Sequence, residues 1–116
     1  MVAYRSMKQY VVDELRPLDY KIIKTYLDAK LDSSGIGGLY KITLDPEILT
    51  DLQNDHTQCQ PYYFAIDLEP DRMACELLVR SDQKIRCNCI GYATEIQRNW
   101  LIQFADMMLN KLKIMI

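Results

Sequence analysis

The spacing of apolar residues changes along this chain, and the changes mark out elements. Ser6-Met7-Lys8-Gln9 has the Ser-x-x-Gln form of a helix-capping box. It predicts a short helix over 6–15, ended at Pro17 because the residue before a proline avoids helical geometry. Asp19 is placed to cap a second helix over 20–31, where Ile22, Ile23, Tyr26, Leu27 and Leu31 recur at helical spacing. Residues 33–38, rich in Ser and Gly, predict a loop. A strand follows over 39–44, with Tyr40, Ile42 and Leu44 on one side. Asp45-Pro46 pairs a capping Asp with a proline at the first helical position, predicting a helix over 46–54.

Three strands are then predicted over 62–69, 73–80 and 85–90, joined at Pro70-Asp71 and at residues 81–84. Thr94-Glu95-Ile96-Gln97 is a second capping box and opens a long helix to near Leu112. The order α-α-β-α-β-β-β-α, with three strands in succession on short connections, implies a mostly antiparallel sheet. The expectation is an α+β fold with about four strands and helices packed on one face. No linker or repeat interrupts the 116 residues, so one domain over 1–116 is expected, with 1–32 as a helical segment and 39–116 as sheet and last helix.

A two-residue turn at Pro70-Asp71 would set Leu68 opposite Met73, Ile66 opposite Cys75 and Phe64 opposite Leu77, leaving one hairpin face wholly apolar. Extending that face to the next strand pairs Val79 with Ile85, Leu77 with Cys87 and Cys75 with Cys89. On this reading Cys75, Cys87 and Cys89 fill an apolar layer as small hydrophobes. A Cys75–Cys89 disulfide fits the register, but a reducing compartment disfavours it.

The same cysteines admit a second chemistry. Residues 56–59 supply the only histidine and the fourth cysteine, His56 and Cys59, three positions apart. With Cys87 and Cys89 they make a four-donor set of the kind zinc takes, His56, Cys59, Cys87 and Cys89. Neither pair has Cys-x-x-Cys spacing, and a strand would hold Cys87 and Cys89 side by side rather than on a chelating turn. The core reading is therefore preferred, and His56 is first read as a solvated loop residue.

The opposite sheet face carries Asp67, Glu76, Arg86 and Asn88 among its polar residues. These are the candidate contact residues, and Asp67 with Glu76 could serve as an acid–base pair. The competing reading is a solvated face with weak cross-strand ion pairs. Gly35-Ile36-Gly37-Gly38 is not a phosphate loop, because it follows a helix and precedes a strand, and no Gly-Lys-Ser/Thr follows.

Composition narrows the classes. Hydrophobic residues at 49% against 26% charged predict a packed core. A net charge of −2 argues against nucleic acid as the main partner. No apolar run approaches the roughly 20 residues of a membrane span, and Lys8, Asp13 and Glu14 interrupt any signal-peptide core, which places the chain in the cytoplasm. The last helix is apolar over more than the stripe a sheet can cover, which suggests a homodimer. The reading as a whole is a small cytoplasmic, non-enzymatic binding or regulatory module, homodimeric, with no cofactor. The alternatives are a zinc or redox-sensing thiol site at Cys59, Cys87, Cys89 and His56, and, more weakly, an acid–base enzyme using Asp67 and Glu76.

Overall fold

The computed structural model describes residues 8–33 and 37–115. The fold is α+β, built on an antiparallel sheet. Its strands are β1 (Gln9–Val12), β2 (Asp32–Ser33), β3 (Leu39–Thr43), β4 (Tyr62–Glu69), β5 (Arg72–Glu76), β6 (Leu78–Ser81) and β7 (Gly91–Tyr92). Its helices are α1 (Pro17–Lys30), α2 (Asp51–Asp55) and α3 (Glu95–Lys111), with single 3-10 turns at Pro46–Ile48 and Thr57–Cys59. The main path runs β1-β5-β4-β3-β2, and β6 pairs with both β4 and β7.

The N-terminal segment corrects the first expected helix. Ser6 lies outside the described residues, and Gln9–Val12 forms β1 against β5, with Val11 opposite Ala74 and Val12 opposite Met73. Tyr10, Val11 and Val12 suit a pleated edge better than a helix, because the β-branched valines are stiff at χ1 and an aromatic ring packs well on a pleated surface. Pro17 does not end a helix but begins one. Its missing N–H falls where helical N–H groups have no partner. Asp19 sits in the first turn of α1, where its carboxylate accepts from the Arg16 backbone N–H at 3.1 Å.

The hairpin is as expected near its turn, where Leu68 faces Met73, Ile66 faces Cys75 and Asp67 faces Ala74, but the expected Phe64–Leu77 pair is not formed. Upstream, Leu39–Thr43 forms β3 against β4. Gly38 before it has φ +87°, and its carbonyl accepts from the Leu68 N–H at 2.7 Å. The expected strand over 73–80 is broken at Leu77. Between the Ile66–Cys75 and Tyr63–Arg80 pairs, β4 advances three residues while its partner advances five. The extra residues form a bulge, and Leu77 bonds elsewhere: its N–H to the Lys8 carbonyl and its carbonyl to the Ala93 N–H.

The expected third strand over 85–90 is not formed, and with it go the Val79–Ile85, Leu77–Cys87 and Cys75–Cys89 pairings. β6 pairs instead with β7, Leu78 opposite Tyr92 and Val79 opposite Gly91. Ser81 redirects the chain, its hydroxyl accepting from the N–H groups of Gln83 and Lys84 at 3.1 and 3.0 Å. Ile85 is 94% exposed, so a short apolar alternation here was not a buried face.

The core joins the apolar side of the sheet to the helices. Phe64, Ile66, Met73, Cys75, Leu77 and Val79 are buried with Ile23 and Leu27 of α1 and Leu101, Ala105, Met108 and Leu109 of α3. Ile96 and Met107 of α3 stay exposed.

Candidate metal centre

Two short turns carry the four candidate donors. The first begins where α2 ends. His56 caps that helix, its N–H bonded to the Leu52 carbonyl at 3.1 Å, and the 3-10 turn Thr57–Cys59 follows. The Cys59 N–H bonds back to the His56 carbonyl at 2.9 Å. Side chains three residues apart in a 3-10 turn point the same way, which is why His-x-x-Cys brings its donors together here. The second is a turn over 87–90, closed by the Ile90 N–H on the Cys87 carbonyl at 3.0 Å. Cys87 and Cys89 therefore lie on a turn and not on a strand, which corrects the geometric argument against chelation.

The two turns meet. One nitrogen of His56 and the sulfurs of Cys59, Cys87 and Cys89 all lie within 4.8 Å of one another, and the set could hold a metal ion. His56 presents Nδ1 to the Cys87 sulfur at 3.1 Å. Cys59 and Cys89 are buried, whereas His56 and Cys87 are half-buried, so the cluster has an inner and an outer side. All four cysteines are free thiols. Cys75 lies apart, enclosed in the core, where burial pushes its thiol up to about 12.

Cys87 and Cys59 differ in proton affinity. The backbone N–H of Cys89 aimed at the Cys87 sulfur, with the Cys89 thiol, His56 and Cys59 beside it, lowers Cys87 from 9.0 to about 6. Burial pushes Cys59 up to about 11, helped by the neighbouring sulfurs of Cys89 and Cys87. Burial, then contact with Cys89, raises the Tyr62 hydroxyl as well.

A buried polar network fixes the turns. The Gln53 side chain donates to the Cys89 carbonyl at 3.2 Å and accepts from Gln97 Nε2 at 2.9 Å and from the Thr50 N–H at 3.0 Å. Gln97 also donates to the Ile48 carbonyl at 2.9 Å and accepts from the Thr94 N–H at 3.1 Å. The Tyr62 hydroxyl donates to the Gln53 carbonyl at 3.3 Å, and the Ser81 hydroxyl donates to the Cys59 carbonyl. Among the described residues no buried side-chain polar atom lacks a partner. Each glutamine thus does two tasks, reciprocating a threonine cap and joining neighbouring elements.

Sequence reading missed Gln53, Gln97, Tyr62 and Ser81 as supports of the site. A signal existed for both glutamines: Gln97 closes the capping box at Thr94, and Thr50-Asp51-Leu52-Gln53 repeats that pattern and marks the start of α2, five residues after Asp45. The helix expected over 46–54 is accordingly split, with Pro46–Ile48 a 3-10 turn and α2 beginning at Asp51.

The contact candidates are not gathered in one place. Asp67 is exposed and faces Ala74 on one side and Leu39 on the other. Glu76 faces Gln9 and pairs with Arg80 at 2.8 Å. Arg86 has no strand partner among the described residues, since Leu78 of β6 faces Tyr92. Arg86 and Asn88 flank Cys87 on the exposed side of its loop, and the Cys87 thiol donates to Asn88 Oδ1 at 3.5 Å. Among the described residues no helix is long and apolar enough to cross a membrane. Comparison with protein-family models, with curated proteins and with solved structures finds no match.

Proposed function

We propose that this chain is a small binding module whose loop over 82–90 is held in place by a zinc ion on His56, Cys59, Cys87 and Cys89. The observation that carries the reading is the convergence of four donors, from turns about thirty residues apart, within 4.8 Å. Tetrahedral zinc, with Zn–S about 2.3 Å and Zn–N about 2.0 Å, separates its donors by about 3.5–3.8 Å. The widest spacing here needs to close by only about 1 Å. Three sulfurs and one imidazole favour zinc over calcium or magnesium, which take oxygen.

Four protein donors leave no open coordination position, which makes the site structural rather than catalytic. The hydrogen bonds to the carbonyls of Cys59 and Cys89 supply the supporting shell that such sites use to fix their ligands. The reading includes a reducing compartment, in which the thiols stay available as ligands. The metal would then hold out Lys84, Ile85, Arg86 and Asn88, all exposed, as the contact surface of the module.

Native mass spectrometry of the reduced chain after incubation with zinc and removal of excess tests this directly. One bound zinc is expected, lost in Cys59→Ser and Cys87→Ser and kept in Cys75→Ser. A folded, fully reduced chain that holds no zinc refutes the proposal, as does binding that survives loss of both Cys59 and Cys87.

A further inference from the structure

We infer that the same centre is a peroxide-responsive switch, in which oxidation of Cys87 expels the metal; this rests on the zinc reading above. The centre has one thiol at its outer side and two at its inner side. Cys87 is half-buried, while Cys59 and Cys89 are 2% and 4% exposed. A hydroperoxide from solvent therefore meets Cys87 first. Both inner sulfurs lie within 4.8 Å of the set and can complete the reaction with small side-chain movement. Zinc has no redox chemistry of its own, so the electrons come from sulfur.

The Cys87 thiolate attacks one peroxide oxygen. The O–O bond breaks, Cys87 becomes a sulfenic acid, and the second oxygen leaves as hydroxide and takes up a proton. The thiolate of Cys59 or Cys89 then attacks the Cys87 sulfur. An S–S bond forms, the S–O bond breaks, and a second hydroxide leaves as water. Two thiolates have lost one electron each, hydrogen peroxide has become two waters, and zinc remains in its divalent state. His56 and one cysteine are the only donors left to it, and the ion departs. A Cys59–Cys87 disulfide replaces the four-donor link between the loop over 82–90 and the turn at Thr57–Cys59 with a single covalent bridge, and a Cys87–Cys89 disulfide removes that link; either one couples oxidation to the displayed surface.

Cys75 is the built-in control. It is fully buried and lies outside the cluster, so its oxidation plays no part. The experiment uses the full chain loaded with zinc and treated with hydrogen peroxide in the presence of a metallochromic dye. Thiols are then titrated after denaturation with chelator, and the disulfide is mapped by peptide mass spectrometry. Zinc release is expected in step with a fall from four titratable thiols to two, with Cys87 in the mapped disulfide. Dithiothreitol and fresh zinc restore the starting state, and Cys75→Ser behaves as the unaltered chain.

Retention of zinc and of all four thiols, while glutathione in the same tube is oxidised, overturns the switch and leaves the zinc reading standing. Accumulation of Cys87 sulfinic acid without a disulfide, or a disulfide that includes Cys75, also overturns it. Absence of zinc before any peroxide is added overturns both readings and separates the two failures.

Discussion

Replacing Gln53 with leucine removes the side chain that joins the two turns carrying the candidate donors. Gln53 is only 4% exposed and makes three side-chain hydrogen bonds: to the Cys89 carbonyl, from Gln97 Nε2 and from the Thr50 N–H. Each is worth about 1 kcal/mol net, and only one partner of each pair is removed, so the others are left poorly satisfied. Leucine has similar volume and returns part of the loss as apolar burial. The expected cost is about 2–3 kcal/mol, a large share of the roughly 5–15 kcal/mol that holds a domain together.

Urea unfolding of the metal-free chain with chelator present measures this, provided the denaturant slope is unchanged. Gln53→Glu sharpens the test. It keeps both acceptor contacts of Oε1 but sets a carboxylate oxygen against the Cys89 carbonyl. Burial raises the pKa of such a carboxyl above its unfolded value. The variant is therefore weakest relative to the parent at neutral pH and recovers as pH falls through that raised pKa, when the protonated acid can donate again. Zinc affinity is expected to drop about 10–100-fold in both variants, the usual effect of losing a supporting contact. A cost below about 0.5 kcal/mol for Gln53→Leu, with zinc affinity unchanged, would refute the view that this network positions the site.

Three further outcomes follow from the fold. Ile85→Gln should leave urea stability within about 0.5 kcal/mol, because the side chain is 94% exposed; a loss of a core-truncation size would return this residue to a buried strand. Gly38→Ala should cost more than about 1 kcal/mol, since φ is +87° and an added Cβ would sit 2.6 Å from the Leu68 carbonyl oxygen; unaltered unfolding would contradict that close approach. Cys75 titrates near 9.0 when unfolded and near 12 when folded, so the unfolded chain releases its proton first. Its contribution is intact below pH 9 and falls by about 1.4 kcal/mol per pH unit above it. Cys75→Ala should flatten alkaline unfolding by about that slope, and an identical pH profile for parent and variant would show that the thiol is not buried as described.

Much of the fold was legible because its signals are local. The Pro70-Asp71 turn fixed the register of one hairpin, and Thr94 with Gln97 marked the start of α3 within a residue. The strand over 62–69 was legible from alternation alone, since one of its faces is wholly buried. The four donor types were legible too, as His56, Cys59, Cys87 and Cys89 are the residues metal chemistry singles out.

Tertiary structure decided what those residues do. Alternation over Ile85, Cys87 and Cys89 is equally consistent with a strand face and with a turn that aims two sulfurs the same way. A pattern of period two carries no information on which backbone holds it. The choice fell to contacts distant in sequence: Ser81 turning the chain out of β6, Leu77 bonding to Lys8 and Ala93, and Gln53 holding the Cys89 carbonyl. The same holds at the N-terminus, where Gln9–Val12 became a strand because β5 offered an unpaired edge. Local sequence specified turns, caps and the donor inventory; long-range hydrogen bonding and burial brought those donors to one point.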